Sequence, residues 1–130
     1  MNCSDVYLRN IVTLIGTGLA FTTVRSGYAT SDHIVNQHFY FFLCEFFKLH
    51  PRYLLSISKS NADGSRQRTR PLFLTGESHA GHYIPSMATY ISERNAQSDI
   101  DLHIDVRGLL IGNGWIDPVY DMRYGVCNRF

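Results

Sequence analysis

Apolar positions along the first half of the chain predict a strand followed by a helix. Ile11 to Ile15 form a short, mostly apolar run, which is typical of a buried strand, and a loop rich in glycine, threonine and serine follows it to Ser31. A helix is predicted next. Ser31 or Asp32 can cap it, and Pro51 ends it. Apolar side chains recur there at helical spacing, which indicates core packing: Val35, Phe39, Phe42, Phe46 and Leu49.

The second half of the chain shows the same alternation. Pro71 to Thr75 is a short apolar run that ends at Gly76, and Ala80 to Glu93 returns to helical periodicity. From Asp99 to Ile111 strict alternation gives way to a nearly continuous apolar run, which predicts a third strand. The order strand, helix, strand, helix, strand predicts an α/β fold with a mainly parallel sheet and flanking helices.

Two segments break this pattern. Residues 56–70 are polar throughout, with a turn at Asp63-Gly64, and predict a surface loop. Pro118 to Phe130 shows no periodicity, so no element is predicted there. The loop carries a cluster of cations without an interleaved aromatic platform, so no nucleic-acid interface is expected: Lys59, Arg66, Arg68 and Arg70.

Composition and charge narrow the class of protein. The chain has 130 residues, of which 45% are hydrophobic, and its formal net charge is +1. These values predict one folded domain at most, without a single-signed field that would attract nucleic acid or an anionic membrane. Cys3, Cys44 and Cys127 are too few and too far apart for a disulfide framework or a C-x-x-C metal pair. Cys44 is expected to be a buried structural thiol, and no metal or cofactor is predicted.

The N-terminal apolar stretch raises the question of a targeting signal. Ile11 to Phe21 could form the hydrophobic part of a secretory signal, but Asp5 cancels the positive charge that should precede it, and Gly16 and Gly18 interrupt it. A buried strand is the better interpretation. No run reaches the roughly 20 apolar residues that a spanning helix needs, so no membrane span is expected.

A serine lies where the second predicted strand meets the second predicted helix. In the segment Gly76-Glu77-Ser78-His79-Ala80-Gly81, small residues lie two positions before Ser78 and two and three positions after it, as in a nucleophile elbow, where the turn projects the hydroxyl above the sheet. The following helix directs its amide donors toward an attacked carbonyl, and the His79 backbone amide is the natural oxyanion donor. A capping serine in an ordinary strand-to-helix turn fits the short pattern equally well.

Longer motifs indicate a family. Gly76 to Pro85 closely resembles the active-serine motif G-E-S-Y-A-G-H-Y-I-P of the serine carboxypeptidases and differs only at His79. Ile111 to Pro118 is similar to the family's I-G-N-G-W-I-D-P, and Gly16-Thr17-Gly18 resembles part of V-G-T-G-F-S-Y. The phenylalanine-rich helix before Pro51 resembles a further family segment. The resemblance covers about residues 11–118, and Leu109 to Pro118 looks most like the fungal prohormone-processing members.

The resemblance implies a fold and an activity. The family consists of exopeptidases with the α/β-hydrolase fold that remove C-terminal residues from peptides at acidic pH, without a cofactor. Ser78 matches the nucleophile that forms the acyl-enzyme, and Glu77 matches the glutamate that helps to hold the substrate's terminal carboxyl group. His79 replaces a tyrosine, which alters the pocket for the penultimate residue. The family's habitual compartments, the vacuole or lysosome and the extracellular space, imply the secretory pathway.

The general base is not found among the histidines of this chain. His82 lies one turn beyond the elbow and points along its own helix, and four further histidines are expected to be solvated or hydrogen-bonded: His33, His38, His50 and His103. In the family the catalytic aspartate and histidine lie downstream of the matched region, and a second oxyanion segment lies upstream. We therefore expect residues 1–130 to form one incomplete α/β-hydrolase domain that is inactive and prone to aggregate by itself.

Two other functions remain open at this point. The chain could be a non-catalytic remnant that binds a partner, which the missing base favours. It could also be another serine hydrolase, such as an esterase or acyltransferase, which would leave Glu77 without a role.

Overall fold

Helices and short strands alternate along the chain. The computed structural model describes residues 21–55, 67–99 and 102–124. The helices are α1 (Asp32–Leu49), α2 (Ala80–Asn95) and α3 (Pro118–Tyr124), with single 3₁₀ turns at Arg25–Gly27 and Pro51–Tyr53. The strands are β1 (Leu54–Leu55), β2 (Gln67–Thr69), β3 (Leu72–Glu77), β4 (Leu102–His103) and β5 (Val106–Gly112).

The central unit is β3-α2-β5. Strands β3 and β5 are parallel and pair from Leu72 opposite Val106 to Glu77 opposite Gly112. Helix α2 packs on one face of this pair, where Leu74 and Ile84 join the core. The carboxyl ends of both strands therefore meet at the edge where α2 begins, which is where α/β sheets place their functional residues.

Helix α1 forms as its sequence predicts but turns a different stripe inward. Ser31 Oγ accepts a hydrogen bond from the Ile34 amide at 3.4 Å, and Pro51 follows the C-cap His50. The buried positions follow a four-residue step through Val35, Phe39, Leu43 and Phe47. The expectation that Phe42 and Leu49 face the core is wrong, because they are 39% and 75% exposed.

The small strands form a second sheet in the order β1-β2-β4, in which β1 is antiparallel to β2 and β2 is parallel to β4. Asp105, between β4 and β5, links it to the central pair. Its amide donates to Thr69 Oγ1 at 2.9 Å, and its carboxylate accepts from Arg107 Nε at 2.7 Å. Asp105 is 6% exposed and Thr69 is fully buried, so this polar junction lies inside the fold.

The structure confirms some of the elements predicted from the sequence and corrects others. The α/β class, α1, α2 and the strand before Ser78 are confirmed. The prediction of a surface loop over 56–70 is wrong at Gln67–Thr69, which form β2 with Thr69 buried; residues 56–66 lie outside the described part. The strand predicted at 11–15 also lies outside it. Cys44 is half-buried rather than buried.

The last described segment is a helix that periodicity did not predict. Asp117 caps α3, since its Oδ1 accepts hydrogen bonds from the amides of Val119 at 3.0 Å and Tyr120 at 3.1 Å. A capping aspartate followed by Pro118 at the first helical position is a known start signal, although seven residues are too few to show a period. In the described ranges no helix is both long and apolar enough to span a membrane.

Candidate active site

Ser78 lies at the sharp turn between β3 and α2. Its φ is 59°, in the left-handed region that non-glycine residues rarely adopt, and its side chain is exposed. Small neighbours are required here: a Cβ at Gly76 would overlap Ala80 Cβ, and a Cβ at Gly81 would lie 2.7 Å from the Trp115 amide nitrogen. The backbone thus has the strained, crowded geometry of a nucleophile elbow.

The backbone of Ser78 is held from both sides by the segment that follows β5. The Ser78 amide donates to the Gly112 carbonyl at 3.0 Å, and the Ser78 carbonyl accepts from the Trp115 amide at 2.8 Å. Between them, Asn113 has a φ of 45°. In the described part of the chain, Ser78 and Asn113 are the two non-glycine residues with positive φ. The strain of the elbow is therefore sustained by hydrogen bonds to the neighbouring strand end.

His79 directly follows Ser78 and precedes the first residue of α2. Among the described residues its backbone amide donates to no backbone carbonyl. Because it lies at the start of α2, this amide is placed to bind an anion. Its ring packs against those of Tyr83, Trp115 and His82, with centroid distances of 4.7, 5.5 and 5.6 Å. The imidazole thus belongs to an aromatic cluster beside Ser78.

Glu77 is the last residue of β3, and its side chain is exposed. It lies opposite Gly112 in the register, next to Ser78 in the chain. Within the described ranges its carboxylate has no ion-pair partner. Glu77, Ser78 and His79 therefore present a carboxylate, a hydroxyl and an amide donor at one edge of the sheet.

No hydrogen bond joins another described histidine to Ser78. In the described part of the chain, Ser78 Oγ has no hydrogen-bond partner. His82 Nε2 instead donates to Asp32 Oδ2 at 3.0 Å. His33 Nε2 lies 3.1 Å from Gln37 Nε2, and His50 packs against Phe46 with a centroid distance of 4.6 Å.

His103 departs from its prediction. Its Nδ1 is buried and meets no hydrogen-bond partner among the described residues, so the expectation of a solvated or hydrogen-bonded ring is wrong for this nitrogen. His103 lines a cavity of about 450 Å³ between the C-terminal half of α2 and β5, together with Asn95 and Asp105. Ser78 is exposed and is not among its lining residues, so the candidate nucleophile lies outside this cavity. Nor do the described ranges contain a group of three His, Cys, Asp or Glu side chains arranged as metal ligands.

Some features of the site have no counterpart in the sequence analysis. Two of them join residues far apart in the chain: the hydrogen bond from the Trp115 amide to the Ser78 carbonyl, and the Asp32–His82 pair. The third is the positive φ of Asn113. Gly114 is the signal that could have indicated a close backbone approach, since a Cβ there would lie 3.3 Å from Gly81 Cα.

The chain is similar in sequence to known proteins along most of its length. A family model described as serine carboxypeptidase matches residues 10–128. The chain is 40% identical to serine carboxypeptidase S10 family member 2 of Dictyostelium discoideum, over 79% of this chain and 16% of that protein. It is 34% identical to the venom serine carboxypeptidase of Apis mellifera, over 85% of this chain and 20% of that protein. The chain thus spans about a fifth or less of the length of these curated relatives.

A solved structure resembles the fold. It is that of KEX1(delta)p, a prohormone-processing carboxypeptidase from Saccharomyces cerevisiae, with a TM-score of 0.52 and 33% identity. The match covers 78% of this chain and 20% of that one. The fold described above is therefore part of an α/β-hydrolase core, as the sequence predicted.

Proposed function

Because the chain belongs to the serine carboxypeptidase family, we propose that Ser78 is the nucleophile of an enzyme that releases C-terminal residues from peptides. One observation carries the proposal: Ser78 is exposed at φ 59° between a parallel strand and a helix. An ordinary capping serine does not need a left-handed backbone. The N-cap Ser31 of α1, for example, has an extended one at φ −154°.

The reaction proceeds through an acyl-enzyme. Ser78 Oγ attacks the carbonyl carbon of the last peptide bond while its proton passes to a general base. The negative charge that develops on the carbonyl oxygen is stabilised by the His79 amide at the start of α2. The bond to the C-terminal residue then breaks, that residue leaves with a protonated amine, and water hydrolyses the ester on Ser78.

The general base lies outside the described residues in this proposal. No imidazole of the described chain is hydrogen-bonded to Ser78 Oγ, and His82 is engaged with Asp32. The 130-residue polypeptide expressed by itself should therefore be close to inert, since loss of triad members lowers turnover by about 10⁴- to 10⁶-fold.

Glu77 selects the terminal carboxyl group. Glu77 is exposed and lies one residue before Ser78 at the end of β3. Two carboxyl groups can hydrogen-bond only while one of them holds a proton, because two carboxylates repel each other. The requirement for a free C-terminus and a preference for acidic pH then have the same physical cause.

The substrate class and the cellular compartment in this proposal are inferred from the family. The substrates are the C-termini of peptides or proteins, with no nucleic acid involved, and no metal or cofactor takes part. Relatives carry the descriptions "venom" and "prohormone-processing", which supports a place in the secretory pathway, whether vacuolar, lysosomal or extracellular. Residues 1–130 are proposed to lie within one α/β-hydrolase domain.

A fluorophosphonate probe tests the nucleophile in the protein as its gene encodes it. We expect labelling of Ser78, located by peptide mass spectrometry, and its loss in Ser78→Ala. The matched control Ser92→Ala changes an exposed serine on α2 and should keep full labelling. Folded protein that remains unlabelled would contradict the proposal and favour a non-catalytic role.

Paired peptides test the class of substrate. A peptide with a free C-terminal carboxylate should lose its last residue, whereas the same peptide with a C-terminal amide should be cleaved far more slowly. Glu77→Gln should reduce this difference while Ser78 remains labelled. Hydrolysis of simple esters with no preference for the free carboxylate would instead indicate another serine hydrolase.

A further inference from the structure

Helices α1 and α2 lie side by side and run in the same direction. Three contacts between them share an offset of 50 positions, and each is one helical turn from the next. They join Asp32 to His82 at 3.0 Å, Asn36 Nδ2 to Ser86 Oγ at 2.7 Å, and the rings of Tyr40 and Tyr90 at 5.9 Å. The start of α1 is therefore placed next to the start of α2, at the turn that carries Ser78.

The first of these contacts reaches the turn that would bind the oxyanion. The His82 amide donates to the His79 carbonyl at 3.0 Å, and the two imidazole rings lie 5.6 Å apart with a 37° tilt. His79 in turn lies 5.5 Å from the Trp115 ring, and the Trp115 amide is bonded to Ser78. A displacement of His82 would therefore also displace His79, which follows Ser78, and Trp115, whose amide is hydrogen-bonded to Ser78.

We propose that Asp32, acting through His82, is a positioning residue that fixes the first turn of α2 and with it the His79 amide beside Ser78. The proposal rests on the proposed function, because the positioned amide matters only if Ser78 reacts. It assigns Asp32 a place in the reaction although Asp32 lies 46 positions before the nucleophile and does not touch it.

The Asn36–Ser86 and Asp32–His82 contacts differ in burial and therefore in what they contribute to stability. Asn36 is 7% exposed, so its bond to Ser86 is part of the buried junction between the helices. The side chains of Asp32 and His82 are 53% and 46% exposed, and exposed pairs of this kind contribute little to global stability. Loss of the Asp32–His82 pair should therefore loosen the turn locally without unfolding the protein.

Four variants of the protein as its gene encodes it test this assignment. Asp32→Asn and His82→Gln each remove one partner, and the double variant shows whether the two residues act as a unit. Glu45→Gln is the matched control, because it breaks an exposed 2.6 Å pair with Lys48 on the same helix, far from Ser78. Since Asp32 also favours the N-terminal dipole of α1, His82→Gln keeps the test valid if Asp32→Asn weakens that helix.

Two measurements are made on each variant. The first is the second-order rate of Ser78 labelling by a fluorophosphonate. We expect it to fall about 10-fold or more in both single variants, up to the roughly 100-fold effect of a 1 Å displacement, with no further fall in the double variant. The second is the ¹H–¹⁵N chemical shift of the His79 amide, which should move in all three. Glu45→Gln should change neither, and the thermal midpoint should stay constant throughout.

The outcomes distinguish the two proposals. A His79 amide resonance that stays in place in Asp32→Asn and His82→Gln overturns the positioning role, whatever the labelling rate. Slower labelling that merely follows a lower thermal midpoint overturns it as well. If the resonance moves in the pair variants while the unaltered protein is never labelled, the positioning of the turn is supported and the proposed hydrolase activity is contradicted.

Discussion

At the scale of single residues, the site depends on groups too small to obstruct the backbone. Ser78 adopts a left-handed φ, and two glycines make room for it: Gly76 against Ala80 and Gly81 against the segment after β5. Contacts at Gly81 are with backbone atoms of Gly114 and Trp115, which have no alternative rotamer. The elbow therefore requires both the turn at Ser78 and the close approach of the α2 backbone to the segment after β5.

Gly81→Ala should destabilise the fold, and Gly112→Ala should not. The added methyl group at position 81 would lie 2.7 Å from the Trp115 amide nitrogen, whereas a methyl group at position 112 meets nothing within 4 Å. Overpacking of this kind costs about 1–3 kcal/mol of unfolding free energy, while an alanine in open strand space is neutral or slightly favourable. Denaturant unfolding measures both. Equal stability of the two variants would show that the backbones separate without cost.

At the scale of elements, α1 shows how far a periodic pattern can be read. The pattern correctly predicts the helix, a cap at Ser31 or Asp32 and the stop at Pro51, because these are local effects of side-chain spacing and backbone chemistry; in the structure Ser31 is the cap. It does not decide which aromatic stripe faces inward, since α1 carries large apolar residues on more than one face. In the folded chain Leu43 and Phe47 are buried in the core, whereas Phe42 is exposed.

Two titratable side chains of α1, Tyr40 and Cys44, should make the free energy of unfolding depend on pH. Burial raises the pKa of the Tyr40 phenol, with the neighbouring Cys44 as a lesser cause, and burial likewise raises the pKa of the Cys44 thiol. Both groups are neutral when protonated, so at alkaline pH the unfolded chain loses its protons first and the native state holds more of them. Stability should be full below about pH 8 and should fall as the pH rises through the unfolded-state values of about 8.5 for a thiol and about 10 for a phenol.

Thermal unfolding between pH 7 and pH 11 checks this sign. Cys44→Ala should flatten the early part of the decline, whereas Tyr28→Phe, which changes an exposed tyrosine, should leave the profile unchanged. Stability that rises with pH over this range would contradict the burial argument.

At the scale of the whole molecule, the described residues cover only one face of the paired strands β3 and β5. Phe73 and Leu110 are each 55% exposed, on the face of β3 and β5 away from α2. Parallel strands are normally covered on both faces. The chain also spans about a fifth or less of the length of the relatives described above.

The 130-residue polypeptide by itself should therefore self-associate at micromolar concentrations. Sedimentation velocity should show species larger than the 14.9 kDa monomer, because apolar faces and open strand edges promote association. The double variant Phe73→Lys and Leu110→Lys should shift the distribution toward monomer. Thr89→Lys, which places a charge on the exposed side of α2, should not. A monodisperse monomer of the unaltered polypeptide would contradict the expectation.

The sequence by itself determined the helices α1 and α2, the strand before Ser78 and the turn that exposes this residue. These features depend on periodicity, capping and small residues within a few positions of one another, and such effects are local. Only the tertiary structure decided that Trp115 holds Ser78, that Thr69 in a polar stretch is buried against Asp105, and that α1 meets α2 with an offset of 50 positions. Each of these joins segments distant in the chain, and the free energy that selects them comes from packing and hydrogen bonds that form only once the elements have come together.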